Sequence, residues 1–238
     1  MLADHAACVA SRSPRLRARA GRTRACGGMS VDEEPRRTRI QERNRARILD
    51  AALGTFARFG YRGTRVDQIA SDAGMSKSNL LYYFGSKSEI YKAVLAGLLD
   101  RWLAPLRTLD PEGDPRRELT AYIEQKLRFS ANEPEASRLF ANEVMQGAPM
   151  IRDVLEGPLK ALVEEKAEVL RHWAKAGKIR DVDPYHLIFL IWATTQHYAD
   201  FAPQIEALTG SGIHDDRFRK GALETLSALL FEGLLPRA

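Results

Sequence analysis

Residues 60–95 read GYRGTRVDQIASDAGMSKSNLLYYFGSKSEIYKAVL, and this stretch decides the fold. Its first half carries apolar residues at the spacing of one helix face: Val66, Ile69, Ala70 and Ala73. Thr64 is a residue typical of a helix N-cap, and Gly74 tolerates the positive φ that ends a helix. Ser76 then caps a second short helix, SKSNLLYYF. Two short helices joined by AGMS predict a helix-turn-helix.

The residues on either side of this pair strengthen the prediction. Upstream, from Arg36 to Gly60, an apolar face recurs at helical spacing, formed by Ile48, Leu49, Ala52, Leu53, Phe56 and Phe59. Arg43 and other arginines lie largely off that face, and Ser86 caps a longer helix downstream. A basic first helix, a tight turn and a second helix rich in Ser, Lys, Asn and Tyr favour entry into a DNA major groove. The alternative is a generic helix pair, since Ala-Gly turns are common in helical proteins.

The charge is unevenly distributed along the 238 residues, although the formal net charge is only +5. Residues 1–64 hold 14 Lys and Arg against 6 Asp and Glu, a net of +8. The remaining residues hold 22 against 25, a net of −3. A basic first quarter ahead of a slightly acidic body indicates either contact with a polyanion or a solvated charged tail.

The first 28 residues differ from the rest, with six arginines, one acid and no apolar stripe. They lack the apolar core of about 7–15 residues that a secretory signal needs. Three interpretations stay open: a basic arm that grips phosphates, an organelle-type transit peptide, or an over-extended start with initiation at Met29. Both cysteines, Cys8 and Cys26, lie here, which argues against a disulfide framework or a thiol metal site and fits a reducing cytoplasm. No apolar run approaches the roughly 18 residues that span a bilayer, so we expect a soluble protein without a membrane partner.

Over residues 43–95 the sequence resembles the N-terminal domain of the TetR family of bacterial repressors. The resemblance implies that SKSNLLYYF is the recognition helix, in which Lys77, Ser78 and Asn79 face base edges or phosphates. It also implies that Tyr82 and Tyr83 contact the DNA backbone, with packing as the alternative for either. The DNA-binding residues implied by the resemblance are Arg43, Thr64, Ser76, Lys77, Ser78, Asn79, Tyr82, Tyr83 and Lys87. Thr64 and Lys87 are expected to hold phosphates at helix N-termini.

The body of the chain is also helical by its patterns. Expected helices run from Ser86 to about Leu109, from Pro115, from Pro134, over 158–176, from Asp183, and from about Asp215 to Leu234. The Asp183 helix is apolar on all sides from Leu187 to Ala193, and such a helix needs neighbours all round, which a homodimer supplies. The family resemblance implies a four-helix interface between the last two helices of each subunit. A two-fold dimer reads a palindromic double-stranded operator.

Four consecutive polar residues, 194–197, interrupt the apolar Asp183 helix, and buried polar groups need partners. Four segments of the body are WLAPL, EASRLFANEVMQGAP, LKALVEEK and DPYHLIFLIWATTQHYADFAPQIEALTG. They resemble the pyrimidine-utilisation regulators of the TetR family, which implies uracil or thymine as effector. Trp192 offers a stacking face, while Thr195 and Gln196 each donate and accept hydrogen bonds. Further expected effector contacts on neighbouring helices are Trp102, Phe140, Asn142, Glu143 and Trp173. For Glu143 a partnered structural carboxylate is an equal alternative, and His197 is assigned to the scaffold, bonded to Asp200 or to the partner subunit.

The patterns predict an all-α protein with a helix-turn-helix. The resemblance implies a TetR-like DNA-binding regulator, a repressor of pyrimidine catabolism genes that works in the bacterial cytoplasm at the nucleoid. We assign 1–35 to the basic arm or extended start, 36–90 to the helix-turn-helix domain, and 91–238 to effector binding and dimerisation. No cofactor or metal site is expected. One alternative is the same fold with an unrelated effector, such as a flavonoid or fatty acid. A remote alternative is an enzyme using His197 and Asp200, but no catalytic or phosphate-binding motif supports it.

Overall fold

A computed structural model describes residues 33–235, with side chains from Arg39 onward. The described residues are helical and contain no strand, so the predicted all-α class is confirmed. The helices are α1 Glu33–Gly63, α2 Val66–Asp72, α3 Lys77–Tyr83, α4 Lys87–Arg107, α5 Pro115–Asn132, α6 Pro134–Met145, α7 Arg152–Val154, α8 Lys160–Lys175, α9 Pro184–Asp200, α10 Ala202–Thr209 and α11 Asp216–Leu234. The interpretations of residues 1–28 lie outside the described residues. Among the described residues, no helix is long and apolar enough to cross a membrane.

The start of the helix-turn-helix differs from the prediction by a few residues. α1 begins at Glu33 rather than Arg36, and its two segments meet at Gly60, where φ is +67°. The helix resumes to Gly63, and the N-cap of α2 is Arg65 rather than Thr64. The Arg65 backbone N–H donates to the Gln68 side chain at 2.8 Å. Thr64 is therefore part of the link, and its hydroxyl donates to the Gly60 carbonyl at 2.8 Å.

The turn and the next two helix starts agree with the prediction. Gly74 has φ of +63°, a conformation that favours glycine, and a Cβ there would lie 3.0 Å from the Arg47 guanidinium, which would have to shift. The Ser76 hydroxyl accepts from the Asn79 backbone N–H, and the Ser86 hydroxyl accepts from the Glu89 backbone N–H, each at 3.2 Å. These caps satisfy N–H groups that have no partner within their helices and fix where α3 and α4 begin.

In the body, proline and aspartate define the starts of the long helices. Pro115, Pro134 and Pro184 each stand in the first turn of a helix, where a missing N–H costs nothing. Asp183 caps α9 by accepting from the backbone N–H groups of Tyr185 and His186. α5 packs against α4, α6, α9 and α11 and lies at the centre of the body.

The segment before α8 contains a π-helical turn, Leu155–Leu159, that follows directly on α7. Pro158 lies inside it, and a proline cannot donate the backbone hydrogen bond of a regular α-helix. The amphipathic helix expected over 158–176 therefore continues back to Arg152 through this widened turn. The chain also breaks at Phe201, and α10 follows as a separate short helix that the sequence patterns did not reveal.

Candidate DNA-binding surface and effector cavity

The recognition helix α3 presents four polar side chains to solvent. Lys77, Ser78, Asn79 and Tyr82 are all exposed, and Tyr82 is 74% exposed although it is a large aromatic residue. Ser78 shares a hydrogen bond with Ser76 at 3.1 Å. An exposed helix carrying hydroxyl, amide, ammonium and phenol groups can contact both phosphates and base edges.

Lys77 has a partner within the same unit. Its ammonium lies 3.2 Å from a carboxylate oxygen of Asp67 on α2, and both side chains are more than half exposed. Exposed salt bridges of this kind contribute only about 0–1 kcal/mol. A phosphate can therefore replace Asp67 at little cost, and Lys77 remains available to DNA. Arg43, on α1, is also exposed.

Three of the expected DNA contacts also have partners within the domain. Thr64 is buried, which contradicts a phosphate contact, and the Lys87 ammonium donates to the carbonyls of Tyr61 at 2.8 Å and Thr64 at 2.9 Å. Tyr83 is half-buried, and its hydroxyl accepts from the Asn44 side chain at 2.7 Å. Lys87 and Tyr83 help to position the helix-turn-helix, and since both stay partly exposed, their contact with DNA stays a prediction.

Two arginines of α1 hold the carboxyl ends of the helix pair, a role that the sequence reading missed. Arg47 donates to the Ala73 carbonyl at 2.6 Å, and Arg45 donates to the Tyr83 carbonyl at 3.0 Å. The Arg45 guanidinium also lies 4.2 Å from the centre of the Phe84 ring. Carbonyls at helix C-termini lack helical partners and attract cations. The two short helices predicted after the arginine-rich α1 were therefore the signal in the sequence from which these contacts could have been predicted.

A small cavity lies in the body between α4, α5, α6 and α9. It is lined by Trp102, Lys126, Phe129, Ser130, Ser137 and Gln196. Its volume is about 10 Å³. That is the space of roughly one water molecule, so the cavity is almost closed.

The cavity holds buried charges whose ionisation is disfavoured. Burial lowers the pKa of Lys126 to about 8, against the opposing effect of Asp200. Burial also raises the pKa of Asp200, although Ser137 donates to its carboxylate at 2.6 Å and Lys126 and Arg138 are nearby. Lys126 therefore remains mostly protonated at neutral pH and can donate hydrogen bonds to a neutral ligand.

Trp102 carries an unpaired donor beside this charge. Its side chain is 5% exposed, and its indole N–H has no hydrogen-bond partner. The Lys126 ammonium lies 5.7 Å from the centre of the Trp102 ring, and Phe140 meets the same indole edge to face at 5.6 Å. Buried donors are nearly always paired, so the indole N–H indicates a place for an acceptor.

Of the expected effector contacts, the structure brings together Trp102, Phe140 and Gln196. The others are engaged elsewhere. The Trp192 indole N–H donates to the Tyr122 hydroxyl at 2.6 Å, and the Trp173 indole N–H donates to the Pro111 carbonyl at 2.7 Å. The Thr195 hydroxyl donates to the Ile191 carbonyl at 2.7 Å within its own helix.

Asn142 and Glu143 line a different space, a cleft between the end of α1 and α6. The exposed ring of His197 stacks on Phe201 at 4.8 Å, and the alternative that it bonds to the partner subunit stays a prediction. The hydrogen-bond partner of Asp200 is Ser137 instead of His197.

Lys126, Phe129, Ser130 and Ser137 line the cavity but were not predicted from the sequence to bind the effector. Lys126 follows Leu119, Tyr122 and Ile123 on the buried face of α5. A lysine on an otherwise apolar helix face is rare without a function or a partner. This pattern could have identified Lys126 from the sequence. The two serines carried no comparable signal.

The chain combines a helix-turn-helix, whose second helix is exposed and polar, with a body that contains a polar cavity, and α4 continues from one into the other. This combination is typical of a DNA-binding transcriptional regulator. Two family descriptions match the chain. Residues 48–94 match the bacterial regulatory proteins of the tetR family, and residues 95–237 match the C-terminal region of YcdC-like proteins. The chain belongs to the TetR family and is a transcriptional regulator, not an enzyme.

Curated relatives agree with this membership. The HTH-type transcriptional regulator RutR of Escherichia coli K12 is 49% identical over 208 residues, which cover 87% of this chain and 98% of that protein. The HTH-type transcriptional repressor SCO4008 of Streptomyces coelicolor is 30% identical over 179 residues, covering 73% and 87%. Among solved structures, a TetR-like transcriptional regulator from Rhodococcus sp. RHA1 matches with a TM-score of 0.59 and 25% identity, covering 80% of this chain and 94% of that one.

The role of Lys77 is testable with a matched lysine. Lys77→Ala is expected to raise the operator Kd about 10-fold and to reduce the salt dependence of binding by about one phosphate contact. Lys160→Ala is the control, because Lys160 is also exposed and paired with a carboxylate, that of Glu164. Fluorescence anisotropy on DNA selected by the wild type measures both. Equal binding by the two variants at every salt concentration contradicts the assignment of α3 as the recognition helix.

The burial of Lys126 predicts a pH dependence of stability. The folded protein loses this proton near pH 8, whereas the unfolded chain keeps it until about pH 10.5. Between these values the unfolded state binds more protons, so the free energy of unfolding of the wild type should rise by up to about 3 kcal/mol relative to Lys126→Met. Urea unfolding from pH 7 to 10 measures this difference. Lys166→Met, which removes another buried lysine, is the comparison variant. A difference that stays constant with pH means that Lys126 titrates as in water.

Proposed function

We propose that the chain is a repressor that binds a palindromic operator as a homodimer, and that uracil or thymine in the cavity controls operator affinity. The observation that carries the effector proposal is the unpaired indole N–H of Trp102, buried beside Lys126 and Gln196. The resemblance of the body to pyrimidine-utilisation regulators supports the same ligand class. Residues 36–90 would bind the operator, and residues 91–238 would bind the effector and the partner subunit.

The chemistry of the cavity suits a pyrimidine dione. Such a ring offers two carbonyl acceptors and two N–H donors. Trp102 and Lys126 supply donors for the carbonyls, and the Gln196 amide can both donate and accept. The edge-to-face pair of Trp102 and Phe140 supplies aromatic surface for the flat ring.

An alkyl chain would fit this cavity poorly. Lys126 and Asp200 lie near the ligand space, and covering charged groups with hydrocarbon removes water without giving them partners. The alternative of a fatty-acid effector is therefore disfavoured by the same residues that favour a pyrimidine. A polar aromatic ligand such as a flavonoid shares part of this chemistry, but its larger size demands more expansion of a cavity of about 10 Å³.

Effector binding requires the cavity to open, because six ring atoms do not fit the space of about one water. The ring must separate side chains on α4 and α6, where Trp102 and Phe140 meet. A ligand changes an equilibrium only by binding one conformation better than another. An effector that fits only the opened cavity meets this condition, and it would alter the spacing of the two recognition helices.

The proposed dimer uses α9 and α11. Phe189 and Leu190 on α9 are 49% and 52% exposed, and Leu229 on α11 is 68% exposed. A groove of about 290 Å³ between these helices is lined mainly by leucines. Apolar surface of this kind on two neighbouring helices supports a partner subunit packed against them.

The effector assignment is tested by removing the indole N–H while keeping an aromatic ring. Trp102→Phe is expected to weaken uracil and thymine binding about 10-fold or more, because a buried hydrogen bond is lost. Trp192→Phe is the control, since its indole N–H already bonds to Tyr122. Isothermal titration calorimetry measures both affinities. No heat from the wild type at millimolar ligand excludes the pyrimidine proposal but leaves the regulator assignment intact.

The dimer proposal is tested by placing charge on the apolar face. The double variant Leu190→Glu and Leu229→Glu should be monomeric at micromolar concentration, because like charges would be buried against apolar groups. Leu208→Glu on α10, where the leucine is 78% exposed, is the control and should stay dimeric. Analytical ultracentrifugation distinguishes the two. A monomeric wild type, or a dimeric double variant, contradicts this interface.

A further inference from the structure

Glu143 forms a buried polar link between the helix that carries the Trp102 indole and the helix that carries Phe140. Glu143 is 5% exposed. One carboxylate oxygen accepts from the Tyr91 hydroxyl at 3.2 Å, and the other accepts from the Met150 backbone N–H at 2.7 Å. A buried carboxylate is stable only with such partners, so this contact fixes α6 relative to α4.

Tyr91 continues the link toward the helix-turn-helix. Its ring centroid lies 4.9 Å from that of Phe56 and 4.9 Å from that of Tyr61, and both of these residues belong to α1. Burial, and then the charge of Glu143, raise the pKa of Tyr91 well above its usual value, so its hydroxyl remains a donor. The Tyr61 carbonyl in turn accepts from Lys87 at the start of α4. The position of Tyr91 therefore affects the packing of α1 directly.

The same two helices meet again in the effector cavity, where Trp102 contacts Phe140. Tyr91 and Trp102 lie about three turns apart on the same face of α4, and Phe140 and Glu143 lie about one turn apart on α6. α6 is also tied to α9, since Ser137 bonds to Asp200. If a ring that binds beside Trp102 displaces α4 from α6, that displacement strains the Tyr91–Glu143 hydrogen bond.

The surroundings of the bond give α6 room to move. A cleft of about 660 Å³ separates the end of α1 from α6, and it is lined by residues of both helices, among them Phe59, Arg62 and Gln146. Tyr91 and Glu143 both line this cleft. The turn that Glu143 closes contains Ala148 at φ of +55°, a conformation that costs a residue with a side chain some free energy. The hydrogen bond to Met150 therefore holds a turn that would otherwise relax.

We propose that Glu143 is a positioning residue: through its hydrogen bond to Tyr91 it sets the orientation of the helix-turn-helix when the effector cavity is closed. The part of this inference that concerns the effector rests on the proposed function. The bond is present with the cavity closed, and cavity opening removes it. Loss of the bond by substitution should therefore move the protein toward its effector-bound behaviour without any effector.

Two substitutions of similar side-chain size test this role. Tyr91→Phe removes the hydroxyl and keeps the ring against α1, and Glu143→Met removes the carboxylate and keeps the length of the side chain. Each is expected to change the operator Kd, measured without effector, by at least about fivefold. The double variant should change it by no more than the larger single effect, because both substitutions remove one bond. Tyr61→Phe is the control, with a ring in the same cluster, and should bind operator as the wild type does.

The same variants separate a positioning role from general destabilisation. With uracil or thymine at saturation, the factor by which the ligand changes the operator Kd should fall at least about fivefold in Tyr91→Phe, while ligand affinity stays equal or becomes tighter. Unchanged operator binding by Tyr91→Phe and Glu143→Met without effector overturns the inference, whether or not a pyrimidine binds. If neither pyrimidine binds the wild type but both variants change operator binding as expected, the effector proposal fails and the positioning role stands.

Discussion

A lysine ammonium inside a helical bundle needs compensation, and this requirement organises the body of the regulator. Lys126 comes from α5, the opposing carboxylate of Asp200 from α9, and the hydroxyl of Ser137 that bonds to it from α6. Removing Asp200 would be costly, because the buried ammonium would then lose part of its compensation. The Ser137–Asp200 hydrogen bond ties α6 to α9, and Lys126 on α5 interacts with Asp200 through charge, without an ion pair in the part of the chain that the structure describes.

A similar requirement acts on the DNA-binding side, where short helices leave unpaired carbonyls close together. Arg45, Arg47 and Lys87 donate to carbonyls at the ends of α1, α2 and α3. The positive charge of this region therefore has two uses. Part of it bonds to backbone carbonyls, although Arg45 and Arg47 are also exposed, and the rest includes the exposed Lys77 and Arg43. Net charge alone predicts a polyanion partner, but it does not identify the cations that also hold the domain together.

What the sequence predicted well was local. Ser76, Ser86 and Asp183 bond to N–H groups within three residues, so their roles can be read from neighbouring letters. The hydroxyl of Thr195 also bonds locally, to a carbonyl of its own helix. From the sequence alone, such a bond cannot be distinguished from a bond to a ligand. The cavity depends on contacts between distant helices, and so nothing near Lys126 in the sequence identified its neighbours.

The closed cavity also explains how specificity and regulation can depend on the same atoms. In the closed state the Trp102 N–H has no acceptor, and an unpaired buried donor costs about 1–3 kcal/mol. In the proposed mechanism, a ligand with a carbonyl group removes this cost after α4 and α6 have separated enough to admit it. Pairing the indole would then favour the opened state, whereas the Tyr91–Glu143 bond would favour the closed one. An apolar molecule of equal size would have to open the cavity without this compensation, so the ligands that shift the equilibrium are those that can accept a hydrogen bond.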